Sequence, residues 1–266
     1  MRKMLCMFII LAAVFAGCKS PETVESKTIE SFAVNRQENY IDSYADRYIA
    51  YAQKHKMLPY TSVLINVNLG LDQPNYEDVH VLKNAQSITV LVNKHYALPK
   101  QFRPRQLVTV DSKYAQQGVK LREDCYAAFL LMARDMEKEK LTLYIKSGYR
   151  TNRKRGGANS LWYAWPGHSE HQTGLAFDLR KKNVSHEKLS AYDFEETKEY
   201  AWLCKNAYRY GFILSFPEDK TDVTNFGFEP WHWRYVGVDI AMDMKEKEFR
   251  TFQEYWATFL IQTEIQ

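Results

Sequence analysis

Residues 167–179 read GHSEHQTGLAFDL, and this stretch limits the fold more than any other. Two histidines, a glutamate and an aspartate surround a strand's length of apolar residues. A strand that only packs in a core has no use for such groups, because each costs free energy when buried without a partner. Gly174 interrupts the stretch. After it Leu175, Phe177 and Leu179 alternate with Ala176, Asp178 and Arg180, so Asp178 points to the face opposite the apolar set. A turn leading into a strand can bring His171 and Asp178 to one point.

An imidazole and a carboxylate make half of a zinc site, and a catalytic zinc usually takes three protein ligands and keeps a fourth position open. The third candidate lies in FEPWHWRY, where His232 follows Glu229 by three residues. Pro230 rules out a helical His-Glu-x-x-His arrangement and biases Glu229 toward an extended backbone, so the pair acts from a turn entering a strand. A glutamate near a metal ligand but not itself bound can take a proton from metal-activated water and return it to a leaving amine. Arg150, at the end of the run LTLYIKSGYR, can aim fixed donors at a developing negative charge or a substrate carboxylate. Ser169 either contacts substrate or organises the turn. His168 and His186 read as polar loop residues.

The elements around these residues are mixed. Ile41, Tyr44, Tyr48 and Ala52 recur at helical spacing up to Pro59. Short runs such as TSVLINVNL and SITVLVNK, broken at residues 72–75 and at Pro99, make residues 39–110 an N-terminal lead-in packed on a main domain at 111–266. There a helix is predicted over 117–139, with Leu121, Cys125, Ala128, Met132 and Met136 on one face. Leu141, Leu143 and Ile145 alternate with polar neighbours as a half-buried strand. A further helix is suggested by Phe194, Thr197, Ala201, Cys204 and Tyr208, capped at Gly211. FILSF and WHWRYVG read as closing strands, and a helical tail ends the chain. Few helices and separated short strands argue for an α+β fold. Cys125 and Cys204 each fall on the apolar side of a helix, which reads as buried free thiols; a disulfide between them is permitted outside the cytoplasm.

The first residues, MRKMLCMFIILAAVFAGCKS, place Arg2 and Lys3 before an apolar run too short to span a bilayer comfortably. Residues 1–17 are read as a signal peptide, and residues 18–38, rich in Ser, Thr, Glu and Lys, as a polar tether. VFAGC resembles a bacterial lipoprotein signal, with Phe15 in place of the usual leucine. That resemblance implies a lipid on Cys18, attachment to a bacterial membrane and an extracytoplasmic location, with simple secretion as the alternative. A net charge of +4, part of it on Arg2 and Lys3, argues against nucleic acid as a partner.

SGYR at 147–150, GHSEHQTGLAFDL at 167–179, NAYRYGFILSFP at 206–217 and EPWHWRYVG at 229–237 together resemble the VanY-type D-alanyl-D-alanine carboxypeptidases of the LAS zinc metallopeptidases. NVNLGL and LVNKHYALP are similar to the same family. The resemblance implies a small antiparallel sheet carrying one zinc ion and flanked by helices, a Hedgehog/DD-peptidase-like fold. It also implies His171, Asp178 and His232 as zinc ligands, Glu229 as general base and acid, and Arg150 as oxyanion stabiliser. Five residues beyond Arg150, where the family commonly has glutamine, stands Arg155, which with Ser169 is a candidate substrate contact. The implied reaction is removal of the C-terminal D-alanine from peptidoglycan stem peptides. L,D-carboxypeptidase or endopeptidase action on the same polymer, and a non-catalytic wall-binding module that keeps zinc for stability, are the alternatives.

Overall fold

The structure, a computed structural model, describes residues 38–151, 156–181 and 191–265. The signal peptide, Cys18, most of the tether, Arg155 and His186 lie outside them. Among the described residues no helix is long and apolar enough to cross a membrane.

The chain opens with a 3₁₀ turn, Asp42–Tyr44, and two helices, α1 (Ala45–Lys54) and α2 (Tyr60–Asn68). TSVLINVNL is therefore helical. Its Val63, Leu64 and Val67 close over Tyr48 of α1, whose hydroxyl donates to Asn68 Oδ1 at 2.6 Å. Two short strands, β1 (His80–Val81) and β2 (Tyr96–Ala97), pair in parallel. Between them SITVLVNK forms no regular element, although Val90, Leu91 and Val92 are buried. A second pair, β3 (Leu107–Thr109) and β4 (Lys120–Arg122), is antiparallel.

The helix predicted from residue 117 starts six residues later, as α3 (Glu123–Lys138). Gly118 turns the backbone at φ 81°, and residues 120–122 are taken by pairing with β3. The acids Glu123 and Asp124 in its first turn and Lys138 in its last suit the helix dipole. Its buried face, with Cys125, Ala128, Phe129, Met132 and Met136, packs on the central sheet.

That sheet has four antiparallel strands: β5 (Tyr144–Ser147), β6 (Ala176–Arg180), β7 (Phe212–Leu214) and β8 (His232–Tyr235), in the order β5-β6-β8-β7. Its period-two alternation decides what each face carries. Ile145, Leu179, Phe177, Trp233 and Phe212 are buried in the main core, where Phe177 meets Phe129 at 5.5 Å and Phe212 at 5.3 Å. On the other face Asp178 pairs with His232, and a register shift between Ile145 and Ser147, which breaks the alternation in β5, sets Ser147 opposite Asp178.

Between β6 and β7 runs α4 (Lys198–Asn206), extended by a 3₁₀ turn to Gly211 at φ 83°. Its buried side is Trp202, Leu203 and Ala207, not the predicted Ala201–Cys204 face. Cys204 is exposed and Cys125 buried, and both are free thiols. The larger Trp202 and Leu203 gain more from burial than Ala and Cys do, and they set the helix's rotation. Single-turn α5 (Thr221–Thr224) precedes β8, and α6 (Val238–Glu246), α7 (Phe252–Phe259) and α8 (Ile261–Ile265) end the chain. The C-terminal helices close against the lead-in, with Trp256 edge-on to Tyr96 at 4.9 Å and Asn68 Nδ2 donating to the Ala257 carbonyl at 3.3 Å.

Candidate active site

Glu170–Thr173 form a 3₁₀ turn that ends at Gly174 in the left-handed region, φ 73°. A β-carbon on Gly174 would also lie 3.1 Å from side-chain atoms of Arg122 and Leu107, so glycine suits the position on both counts. Thr173 locks the turn, its hydroxyl donating to the Glu170 carbonyl at 2.6 Å and accepting from Leu175 N at 3.1 Å. The turn hands the chain to β6 with His171 and Asp178 on the same side of the sheet.

His171 Nε2 lies 3.2 Å from Asp178 Oδ1, and His232 Nδ1 lies 3.0 Å from the same oxygen. The three residues are the one group found among the described residues with histidine, cysteine or carboxylate atoms converging, within 4.8 Å of one another, on a possible metal position. The outer ring nitrogens are tied back: His171 Nδ1 is 2.8 Å from the Gly148 carbonyl and His232 Nε2 is 2.9 Å from Glu170 Oε2. A nitrogen that donates outward leaves its partner's lone pair pointing inward, so two neutral imidazoles and a carboxylate face one point. That donor set fits zinc. Burial lowers the pKa of His171. For His232 burial acts the same way, but the hydrogen bonds and charges of Asp178 and Glu170 outweigh it and raise the pKa to about 10. A metal ion held by these residues would take that proton's place.

Glu229 is 9% exposed, and its Oε2 stands 3.7 Å from His232 Nδ1, outside the ligand group. Burial, helped by the negative charges of Asp178 and Glu170 and opposed by His232 and Arg150, raises its carboxyl to about 7. Arg150 leaves β5 with its amide on the His171 carbonyl and its guanidinium half-exposed, 2.8 Å from Ser147 Oγ and 3.4 Å from Asp178 Oδ2. With Ser169 these residues line an open cleft of ≈ 650 Å³.

Three further features emerge only from the structure. Glu170 is buried beneath His232, accepting from Ser215 Oγ at 2.6 Å and Arg234 Nη1 at 3.3 Å. Arg234 is fully buried and also donates to the Ile88 and Val90 carbonyls, at 3.0 and 2.9 Å. His168, expected as a polar loop residue, is buried at the cleft wall, with Nδ1 2.6 Å from the Asn93 carbonyl and its ring edge-on to Tyr76. Glu170 stood inside the stretch that singled out its neighbours; a charged residue in the middle of WHWRY was the available signal for Arg234.

A small antiparallel sheet presenting His, Asp and His to an open cleft, with a glutamate beside them, defines the LAS zinc metallopeptidases. Within that class the chain belongs to the VanY-type D-alanyl-D-alanine carboxypeptidase family. The family model so described matches residues 118–238. YodJ of Bacillus subtilis (strain 168), a carboxypeptidase by name, is 33% identical over 72% of this chain and 77% of its own length. The solved LD-carboxypeptidase LdcB superposes with a TM-score of 0.61 at 32% identity, covering 68% of this chain and 91% of LdcB. A mutant of the vancomycin-resistance D,D-pentapeptidase VanY from a VanB-type cassette, solved with Zn(II), gives 0.51 at 26% identity, covering 63% and 97%.

Proposed function

We propose that the chain is a zinc-dependent D,D-carboxypeptidase that removes the C-terminal D-alanine from peptidoglycan stem peptides. The observation that carries this reading is Glu229: a purely structural zinc has no use for a buried carboxylate 3.7 Å from His232, outside the ligand group and beside an open cleft. His171, Asp178 and His232 would hold the ion. When bound, zinc polarises the scissile carbonyl and makes its water acidic enough to lose a proton at neutral pH. Glu229 accepts that proton and returns it to the departing D-alanine amine. Arg150 donates to the oxygen that gains charge or to the terminal carboxylate beside it. Ser169, at the cleft wall, is placed to contact the substrate, and Arg155 remains a candidate contact.

The higher TM-score of the LD-carboxypeptidase LdcB favours a second reading, cleavage of the L,D bond of a tetrapeptide stem. Purified protein incubated with defined muropeptides separates the two. Release of D-alanine from a pentapeptide, abolished by chelator and restored by zinc, is the expected result; release from the tetrapeptide alone would favour the L,D reading, and release from neither would overturn both.

The export segment supports a location outside the cytoplasm, with a lipid on Cys18 holding the enzyme to a membrane where stem peptides are found. Cys18→Ala is expected to move the protein from the membrane to the soluble fraction. Wild-type protein already soluble, with an unmodified N-terminus elsewhere, would refute the anchor.

A further inference from the structure

Trp162 and Tyr163 both line the cleft, yet they are 46% and 48% exposed. Their loop is fixed in place. Ser160 Oγ accepts from both their amides, at 3.2 and 3.1 Å, and Gly227 N donates to the Leu161 carbonyl at 3.0 Å. Beneath it Lys94, 1% exposed, donates from Nζ to the carbonyls of Ala158 and Ser160 at 3.2 and 3.0 Å. The indole of Trp162 lies against Gly227, where a β-carbon would come within 2.6 Å of the ring. A large aromatic ring about half exposed at the cleft, with its backbone hydrogen-bonded and one side against Gly227, is a contact surface in place before a ligand arrives.

Its place along the cleft says which part of a substrate it meets. Ser147, Asp178 and His232 form a row across β5, β6 and β8, continued by Ser215, whose amide reaches the His232 carbonyl. Arg150 stands at the β5 end of that row. At the β7 end Phe216 packs on Phe226 at 5.0 Å, next to Gly227 and the Trp162 ring. Arg150 lines the cleft at that end, and the carboxypeptidase reading above puts the substrate's terminal carboxylate and developing oxyanion beside its guanidinium. The rest of the substrate then leaves across the metal position toward Trp162.

We propose that Trp162, seated on Gly227 and flanked by Tyr163, forms the subsite for the stem peptide on the amino side of the scissile bond, an inference that rests on the carboxypeptidase reading above. Zinc-loaded wild type, Trp162→Ala and Trp162→Phe are to be compared on a stem pentapeptide and on N-acetyl-D-alanyl-D-alanine, which lacks the upstream residues. For Trp162→Ala the expected result is a KM for the pentapeptide raised about tenfold, the size of a typical anchor contact. The rise for the short substrate should be much smaller, kcat should fall less than KM rises, and Trp162→Phe should recover most of the loss. Equal shifts on both substrates, or no shift on the pentapeptide, would overturn the subsite and leave the carboxypeptidase reading standing. If wild type cleaves neither substrate that reading falls, and calorimetry decides the subsite: pentapeptide bound by Glu229→Gln but weakened by adding Trp162→Ala supports it, and any other result overturns it.

Discussion

Replacing Glu170 tests whether the metal site is held from behind. The side chain is 4% exposed, as is that of His232, and Arg234 is fully buried. Burial alone would push the Glu170 carboxyl up, but His232 and Arg234, with Ser215, outweigh it and hold it at about 2. Glu170→Gln keeps the shape and one acceptor oxygen but removes the charge. If that oxygen stays on His232, the new amide N–H groups face the Arg234 guanidinium, donor against donor. Removing one partner of a buried ion pair costs ~3–5 kcal/mol. Arg234 keeps its carbonyl acceptors at Tyr235, Ile88 and Val90, which places the expected loss near the lower end, about 3 kcal/mol. Substituting the group behind a metal-bound histidine lowers metal affinity roughly 10- to 100-fold. Glutamine, which can still accept from Nε2, should sit near the weaker figure. Glu170→Ala leaves His232 without that acceptor and should sit near the stronger. Zinc affinity by competition with a chromogenic chelator and urea unfolding of the chelated protein measure the two effects. Zinc affinity within about twofold of wild type in both variants, with stability within ~0.5 kcal/mol, would refute the reasoning.

Three other outcomes follow from the structure. Glu229→Gln is expected to retain zinc while D-alanine release falls by about 10²–10⁴-fold; near-normal turnover would exclude the base role, and loss of zinc would make Glu229 a ligand or a ligand's support. Phe177→Ala, at a fully buried ring between Phe129 and Phe212, should cost ~3–5 kcal/mol in urea unfolding with an unchanged denaturant slope, and a change below ~1 kcal/mol would mean that the core refills the space. Far from the cleft, burial would raise the Asp72 carboxyl, but its bonds to Arg47 at 2.6 and 2.8 Å outweigh this and hold it below the usual carboxylate range. A depressed folded-state pKa gives stability that is present above the unfolded pKa and lost as pH falls through the folded value. Asp72→Asn should therefore be less stable at neutral pH and lose less on acidification, and parallel pH profiles would contradict this.

The legible parts of the chain were those where local pattern and chemistry agree. His171, Asp178 and His232 could be read because Gly174 marks a turn, the alternation from Leu175 fixes the face of Asp178, and Pro230 excludes a helix before His232. The start of α3 was misplaced because Leu121 keeps the helical spacing that begins at Cys125, although a neighbouring strand claims it. Cys204 was misread because a helical period was fitted through small residues while Trp202 and Leu203, a third of a turn away, held the larger driving force for burial. Glu170 and Arg234 were harder to read for a different reason. A buried charge is tolerable only beside its partner, and that partner lies 64 residues away in sequence.

Arg234 also sets an order of assembly. Its bonds to the Val90 and Ile88 carbonyls join residues 144 and 146 positions apart, and the same guanidinium steadies the glutamate behind His232. Closing loops of that length costs chain entropy before the contact returns any, so such pairings form late. Residues 88–90 gain these bonds only when β8 has come to pack beside them. A nascent or truncated chain can therefore carry His171 and Asp178 without a finished site, and hydrolytic competence arrives only when the last strand has met the early segment.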